Sequence, residues 1–242
     1  MQAEGKNAVI ETIKCGLKVN RVLIENGIKK DSDFNDLFEI IKEKNIEYQF
    51  VSKDTLDNKS ETKRHQGYIA FMPDYIYCDI DDILLFTKKD KQGTFLVILD
   101  GITDPHNFGS ILRVCECAGV HGVIISKNRS CEVNSTVLRT SAGAAGHIKI
   151  AKVVNINSTV EYLKDNNIFV FGADASGRQM DTVNLKGNIA IVIGSEGKGM
   201  HELTKKVCDE IISIPMYGKI NSLNASVACG VVLYEALKQR GK

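Results

Sequence analysis

Two apolar runs in the last third of the chain each end abruptly in small and polar residues. The first, Ile189–Met200, passes from five apolar residues into Gly-Ser-Glu-Gly-Lys-Gly. The second, Ile212–Ser226, passes into a polar loop that precedes a long apolar helical pattern. Each run predicts a buried strand that feeds a loop at the carboxyl edge of a parallel sheet. Ligands bind at such edges in open α/β sheets, so the two loops predict one shared pocket.

The residues of these loops also have a purely structural interpretation. Gly194, Gly197 and Gly199 let the backbone approach a ligand closely, but glycine-rich strand ends are common. Ser222 or Asn224 suits the N-cap of the final helix as well as a ligand contact. For either segment alone the two interpretations are about equally good, and only their combination is specific.

The same part of the chain contains six strand-like segments rich in β-branched residues. Helical patterns separate most of them, which predicts an α/β domain with a mostly parallel sheet and helices on both faces. A dinucleotide-binding fold is disfavoured because no G-x-G-x-x-G follows the first strand. The predicted strands are Phe95–Leu99, Gly122–Ser126, Ile148–Val153, Ile168–Gly172, Ile189–Ile193 and Glu210–Ile214.

A smaller α/β domain is predicted for residues 1–75, followed by a linker at 76–93. The linker holds the acidic amphipathic run Asp79–Phe86, and a polar stretch, Ser52–Arg64, interrupts the small domain. Its predicted helices are Asn7–Leu17 and Asp33–Lys44, and its predicted strands are Arg21–Glu25, Ile46–Val51 and Gly67–Phe71.

Composition excludes several classes of protein. No apolar stretch reaches the ~18 residues of a membrane span, and the first residues lack the basic flank and apolar core of a signal peptide. Seven scattered cysteines are typical of reduced, mostly buried thiols. The histidines show neither metal-ligand spacing nor a paired nucleophile, so a triad hydrolase is unsupported. We expect a cytoplasmic protein with no membrane segment and no metal.

The net charge of the chain does not indicate whether it binds nucleic acid. With 31 basic and 30 acidic residues, an RNA-binding face has to be a patch that folding assembles. The candidates for such a patch are Arg113, Lys127, Arg129, Arg139 and Lys198. For all of these candidates except Arg113, a solvated surface charge is the more ordinary role.

With one further segment, the two loops resemble the three motifs of the SpoU family, the ribose 2′-O methyltransferases of the SPOUT superfamily. That segment, Leu99–Arg113, holds Asn107 and Arg113 six residues apart on the first predicted helix of the larger domain. Length and two-domain layout resemble in particular the bacterial subfamily that methylates a guanosine of 23S ribosomal RNA. A transfer RNA 2′-O-methyltransferase is the near alternative. A non-catalytic RNA-binding or ribosome-assembly protein is the alternative from another class.

The resemblance implies a fold and a reaction. It implies a deep trefoil knot in a methyltransferase domain at 94–242, and a preceding RNA-holding domain similar to ribosomal protein L30. The short segment His65–Gly67 matches a motif at the end of that domain, although a lone histidine in a loop is usually a surface residue. The reaction is methyl transfer from S-adenosylmethionine to a ribose 2′-hydroxyl of ribosomal RNA or of a ribosome assembly intermediate, without a metal.

The resemblance also implies roles for particular residues. Arg113 has a guanidinium that stays protonated, so we expect it to hold an RNA phosphate and stabilise the developing 2′-oxyanion rather than act as a base. The functional polar residues carried over are Asn107, Arg113, Glu196, Ser222 and Asn224. The cofactor-binding residues carried over are Ile193, Gly194, Glu196, Gly197, Ile214, Met216, Leu223, Asn224 and Ser226.

The final helix, predicted at Ala225–Gln239, is apolar on more than one side. Val227, Val231 and Tyr234 form one stripe, and a second stripe begins at Ala228. From the pattern alone, burial within one domain and burial against a partner are equally good interpretations. Because SPOUT enzymes are usually dimers, the resemblance favours a homodimer along this helix and the first helix of the methyltransferase domain.

Overall fold

The computed structural model describes residues 1–14, 16–29, 31–88 and 91–241. They form two compact units. The first contains Met1–Ile76 and Glu132–His147, and the second contains Tyr77–Cys131 and the chain from Ile148 onward. The stretch Glu132–His147 thus packs with the first unit, although the proposed division at residues 75 and 94 assigns it to the methyltransferase domain.

The first unit is a four-stranded mixed sheet with helices. Its strands are β1 (Gln2–Glu4), β2 (Arg21–Glu25), β3 (Glu47–Val51) and β4 (Tyr68–Phe71). They lie in the order β1-β4-β2-β3, in which only the β2–β3 pair is parallel. The helices are α1 (Lys6–Lys14), α2 (Ser32–Glu43), α3 (Lys53–Lys59) and, after the chain returns, α6 (Ser135–Thr140).

Two features of this unit differ from expectation. The stretch predicted to be polar and irregular contains helix α3. Its start is capped by the Ser52 hydroxyl, which accepts from Thr55 N–H at 3.3 Å, and its Leu56 side chain is fully buried. His65 is buried rather than on the surface. Its Nδ1 accepts from Gly67 N–H at 3.0 Å while Nε2 lies 3.0 Å from an Asp57 carboxylate oxygen, so the ring fixes the turn into β4.

A buried carboxylate organises the other end of the same loop. Glu4, on β1, is 1% exposed, and its oxygens accept from Gln2 Nε2 at 2.6 Å, Ser60 Oγ at 2.7 Å and Glu61 N at 2.6 Å. Thr62 donates from its backbone N–H and its hydroxyl. Burial raises the pKa of Glu4, but the bonds from Thr62, Ser60 and Glu61 outweigh it and hold that pKa below its ordinary value.

The second unit is an α/β domain with a six-stranded, wholly parallel sheet. The strand order is β10-β8-β9-β5-β6-β7. The strands are β5 (Phe95–Asp100), β6 (Gly122–Ser126), β7 (Lys149–Val153), β8 (Phe169–Gln179), β9 (Ile189–Gly194) and β10 (Glu210–Ser213). The helices are α4 (Ile80–Thr87), α5 (Pro105–Cys117), α7 (Ile156–Asp165), α8 (Glu202–Val207) and α9 (Ala225–Arg240).

Burial explains why the predicted linker is not a loose connection. Every residue of β5 is buried, as expected for a central strand covered on both faces. Helix α4, inside the predicted linker, contributes the fully buried Ile83 to the core that also contains α7. A Cβ on Gly122 would lie 2.7 Å from Ile83 side-chain carbons, so α4 sits directly on β6. Residues 89 and 90 of the linker lie outside the described residues.

Helices α5 and α9 pack against each other. Cys115 of α5 and Cys229 of α9 are both fully buried. Burial, with the neighbouring Cys229 thiol, raises the pKa of Cys115 well above its ordinary value. Of the six described cysteines, all free, Cys117 is exposed, and Cys15 lies outside the described residues. Among the described residues, no helix combines the length and apolar character that a membrane crossing needs.

Strand β8 runs to Gln179, well beyond the predicted end at Gly172. The pairing of β8 with β10 is interrupted after Gly172. Gly172 pairs with Ile211, but the next residue of β10, Ile212, pairs with Arg178. Residues 173–177 therefore leave the ladder as a bulge. Gly177 returns so close to β10 that a Cβ on it would lie 2.5 Å from the Ile211 carbonyl.

Candidate active site

Three polar side chains from distant parts of the chain meet at the carboxyl edge of the second sheet. Asn224 Nδ2 donates to Asn107 Oδ1 at 2.9 Å and also to Glu196 Oε1. Ala225 N–H approaches the same Glu196 oxygen at 3.4 Å. The network joins the start of α5, the loop after β9 and the start of α9.

Capping decides how Asn224 is oriented. Its Oδ1 accepts from Ser226 N at 2.9 Å, Ser226 Oγ at 2.6 Å and Val227 N at 3.3 Å, so Asn224 is the N-cap of α9. With Oδ1 fixed by the helix, Nδ2 necessarily faces the network. The N-cap of α5 is Asp104, which accepts from Asn107 N–H at 3.2 Å, so Asn107 lies one turn inside the helix rather than at its cap.

A cavity of about 320 Å³ lies beside this network. Three successive segments line it: the β8 bulge, the β9 loop and the chain from β10 into α9. Its walls include these predicted site residues: Ile193, Gly194, Glu196, Gly197, Ile214, Met216, Ser222 and Leu223. Asn224 and Ser226 are not in the wall and act through the α9 cap.

The geometry of the loop after β9 explains why glycine occurs at three of its positions. The loop turns back on itself, since Ser195 and Gly199 exchange backbone hydrogen bonds at 3.0 and 2.9 Å. A Cβ on Gly194 would lie 2.2 Å from the Gly199 carbonyl carbon and the Met200 nitrogen, a collision with backbone that cannot yield. Gly197 and Gly199 have φ of 74° and 66°, which side-chain-bearing residues rarely adopt.

Asp174 is a cavity residue that the sequence interpretation missed. It lies in the β8 bulge, accepts from Ser176 Oγ at 2.7 Å, and pairs with Lys205 Nζ at 2.8 Å. Burial raises the pKa of Asp174, but Lys205 and Ser176 outweigh it and keep that pKa low. Asp174 could have been predicted, because it follows closely on the strand predicted at Ile168–Gly172. The same pattern, a polar residue after a buried strand, predicted the loops after β9 and β10.

A second cavity, of about 340 Å³, adjoins the first. Ser195, Glu196 and Lys198 line both cavities. The remaining wall of the second cavity consists of Gly101, Ile102, Thr103, Asp104, Asn107, Arg129 and His201. The second cavity is therefore lined mainly by polar and charged side chains, whereas the first is lined by glycines and apolar residues.

Arg113 is placed apart from this network. It is exposed on α5 and lines neither cavity. Six residues of helix separate it from Asn107, which corresponds to about 9 Å along the axis and a different face. Of the other predicted patch residues, Arg129 and Lys198 share the second cavity, whereas Arg139 belongs to the first unit. Within the described residues, no three His, Cys, Asp or Glu side chains are placed to hold a metal ion.

Comparison with families and named relatives gives consistent results. Residues 94–234 match the SpoU rRNA Methylase family, and residues 2–78 match the family described as RNA 2′-O ribose methyltransferase substrate binding. YacO of Bacillus subtilis (strain 168), named for the TrmH family of tRNA/rRNA methyltransferases, is 42% identical over 98% of this chain and 94% of its own length. A Staphylococcus aureus (strain COL) protein named for the same family is 44% identical over 98% of this chain and 95% of its own.

Solved structures share the fold. The SpoU methyltransferase AviRb from Streptomyces viridochromogenes, in complex with the cofactor AdoMet, has a TM-score of 0.83 at 23% identity and covers 100% of this chain and 91% of its own. A structure described as an RNA 2′-O ribose methyltransferase has a TM-score of 0.81 at 21% identity, covering 100% of this chain and 89% of its own.

Proposed function

The chain belongs to the SpoU family of RNA methyltransferases, and on that premise we propose that it transfers a methyl group from S-adenosylmethionine to a ribose 2′-hydroxyl, with a guanosine of 23S ribosomal RNA as the target. The observation that carries this proposal is the Asn107–Asn224–Glu196 network between a glycine-lined cavity and a polar cavity. Two adjoining cavities suit a reaction that must hold two reactants about 3 Å apart.

The glycine-lined cavity suits S-adenosylmethionine. About 320 Å³ lies within the range of small-molecule sites. Ile193, Ile214 and Leu223 supply apolar walls for the adenosine part, and the turn at Gly194 and Gly197 brings backbone polar groups to the cavity surface. When bound, the cofactor supplies a methyl carbon on a positively charged sulfur.

The polar residues would position the acceptor. Asn107 and Glu196 face the second cavity and are held by Asn224, whose own orientation α9 fixes. Ser222, exposed at the rim of the first cavity, would hold the loop and the target ribose. Preorganised groups of this kind cost no reorganisation when the reaction occurs.

We propose that Arg113 acts in the site of a second copy of the chain. Its guanidinium is exposed and lies outside both cavities of its own chain. Val227 and Tyr234 on α9 are 50% and 56% exposed on the stripe predicted for a dimer interface. Sedimentation at micromolar concentration should give about twice the 26.7 kDa chain mass, and a fully active monomer would refute the dimer.

The remaining features are proposed with the function: a cytoplasmic enzyme of the 23S guanosine subfamily, with an L30-like domain at 1–75, a linker at 76–93 and a knotted domain at 94–242. The match of residues 94–234 to the SpoU rRNA Methylase family supports the knotted domain. The match of residues 2–78 to a substrate-binding family supports RNA as the partner of the first domain.

The test is methyl transfer with purified protein and labelled S-adenosylmethionine. Unmodified 23S ribosomal RNA, a ribosome assembly intermediate and unmodified transfer RNA serve as acceptors, and 2′-O-methyl sites are mapped in the products. Transfer to 23S RNA or the intermediate supports the proposal, and transfer confined to transfer RNA supports the alternative substrate. Tight RNA binding without transfer to any acceptor would instead favour a non-catalytic assembly protein.

A further inference from the structure

Methylation of a hydroxyl releases a proton, and the residues discussed so far do not account for it. The guanidinium of Arg113 is already protonated and cannot accept a proton. Glu196 also lines the second cavity, but its Oε1 is engaged by Asn224 Nδ2 and approached by Ala225 N–H, and a carboxylate is in general a weaker base than an imidazole. The second cavity offers another acceptor in its wall, the imidazole of His201.

A buried carboxylate orients this imidazole. Asp100, the last residue of β5, is 5% exposed, and its Oδ2 accepts from His201 N–H at 2.8 Å. Its Oδ1 lies 2.8 Å from His201 Nδ1. Because an ionised carboxylate only accepts, the ring proton belongs on Nδ1 and the lone pair on Nε2. Among the described residues Nε2 has no hydrogen-bond partner.

The ring lies in the wall of the second cavity, close to a residue that lines both cavities. A Cβ on Gly101 would lie 3.4 Å from His201 Cε1 and 3.7 Å from Ser195 Cβ, so the imidazole and Ser195 approach the same glycine. Ser195 lines both cavities. His201 is also the N-cap of α8, yet its side chain makes no capping hydrogen bond. Capping therefore does not explain a histidine here.

We propose that His201 accepts the proton of the ribose 2′-hydroxyl and that Asp100 is its positioning residue; this proposal rests on the proposed function. As the 2′-oxygen forms its bond to the methyl carbon, the O–H proton passes to Nε2. The carbon–sulfur bond breaks and its electron pair stays on sulfur, leaving a neutral thioether. The resulting imidazolium is stabilised by the Asp100 carboxylate 2.8 Å from Nδ1.

Charged side chains share the second cavity with the imidazole. They include both carboxylates and cations, so the pH profile has to be compared between variants that leave all of them in place. The charged groups of its surroundings are Asp100 from β5, Asp104 before α5, Arg129 after β6, and Glu196 and Lys198 after β9.

Kinetics of His201→Asn test the proposal. Asparagine is a good N-cap residue, so α8 should keep its start. We expect kcat on 23S RNA to fall about a hundredfold, the lower end for loss of a general base. The acidic limb of the wild-type kcat/KM profile should disappear, while affinities for S-adenosylmethionine and RNA stay within about twofold. His147→Asn, exposed in the first unit, is the matched control and should keep the wild-type profile.

A second readout is independent of activity. Histidine ¹⁵N shifts of the full-length protein should place the neutral-form proton of His201 on Nδ1, and Asp100→Asn should abolish that preference. A proton on Nε2 in the wild type, an acidic limb that persists in His201→Asn, or a loss of RNA affinity with kcat unchanged would each overturn the proposal. If the wild-type protein methylates no RNA, both the proposed function and the role of His201 are refuted. If the wild type is active and His201→Asn has the same pH profile, only the role of His201 is refuted.

Discussion

Glu4 in the first unit and Glu196 in the second are both carboxylates that bind amide and backbone groups, yet their surroundings are opposite. Glu4 is 1% exposed, and donors from Gln2, Ser60, Glu61 and Thr62 engage both of its oxygens. Glu196 is exposed and accepts through one oxygen, Oε1. A carboxylate whose oxygens are all engaged has no capacity left for a ligand, whereas Glu196 lines both cavities and only its Oε1 takes part in the network.

This difference distinguishes polar groups that hold the fold from polar groups of the proposed site. In the first unit, Glu4 and His65 use their hydrogen-bonding atoms to fix one loop and the start of β4. In the second unit, polar side chains near strand ends and helix starts line two cavities. Substitutions in the first network should therefore lower stability, and those in the second should lower binding or rate.

The largest effect is expected for Gly194→Ala. The new Cβ would collide with the backbone of Gly199 and Met200 at 2.2 Å, so the β9 loop must open. We expect S-adenosylmethionine affinity measured by calorimetry to fall below detection. Gly218→Ala is the control, because a Cβ there meets nothing nearer than 3.9 Å. Wild-type affinity in Gly194→Ala would show that the loop is not part of the cofactor site.

Arg113→Ala should reduce methyl transfer about a hundredfold or more, as for removal of a preorganised group at a developing oxyanion. Because the side chain is exposed on α5, the melting temperature and cofactor affinity should stay close to wild type. Glu116→Ala, exposed on the same helix, should retain activity. Equal turnover of Arg113→Ala and wild type on the same RNA would remove this residue from the mechanism.

Glu4→Gln sharpens the comparison directly. The NH₂ group that replaces one carboxylate oxygen cannot accept a hydrogen bond, so it would face the N–H and O–H donors that bind this oxygen in the wild type. The free energy of unfolding should therefore fall by about 2 kcal/mol. For a chain of this size the melting temperature should fall by about 4–8 °C. Glu196→Gln is the matched variant and should stay within about 0.5 kcal/mol of wild type. Comparable melting temperatures for the two variants would contradict the distinction drawn between these carboxylates.

The predictable part of the molecule was the part with local periodicity. The β-branched runs located the parallel strands, and the loops after β9 and β10 indicated one pocket because parallel strands end at the same edge. The β8 bulge was not predictable, since it depends on a break in pairing between Ile211 and Ile212. Asp174 was missed with it.

Long-range partners limited the rest. Asp100 and His201 are 101 positions apart, and nothing near His201 indicates its carboxylate. His65 looked like a surface residue because its burial depends on Asp57 and Gly67 in the folded loop. Pattern shows which face is apolar, not what covers it.

The smallest effect expected is the pH dependence of the Glu4 contribution. Because the folded-state pKa of Glu4 lies below its ordinary value of 4.5, the ionised network stabilises the protein fully above that value. The contribution is lost as pH falls through the lower folded-state pKa, because protonation then occurs in the folded state too. Melting temperatures of wild type and Glu4→Gln should therefore differ most at neutral pH and converge in acid. A difference that stays constant down to pH values well below 4.5 would mean that the charge of Glu4 contributes nothing and that only the shape of its side chain matters.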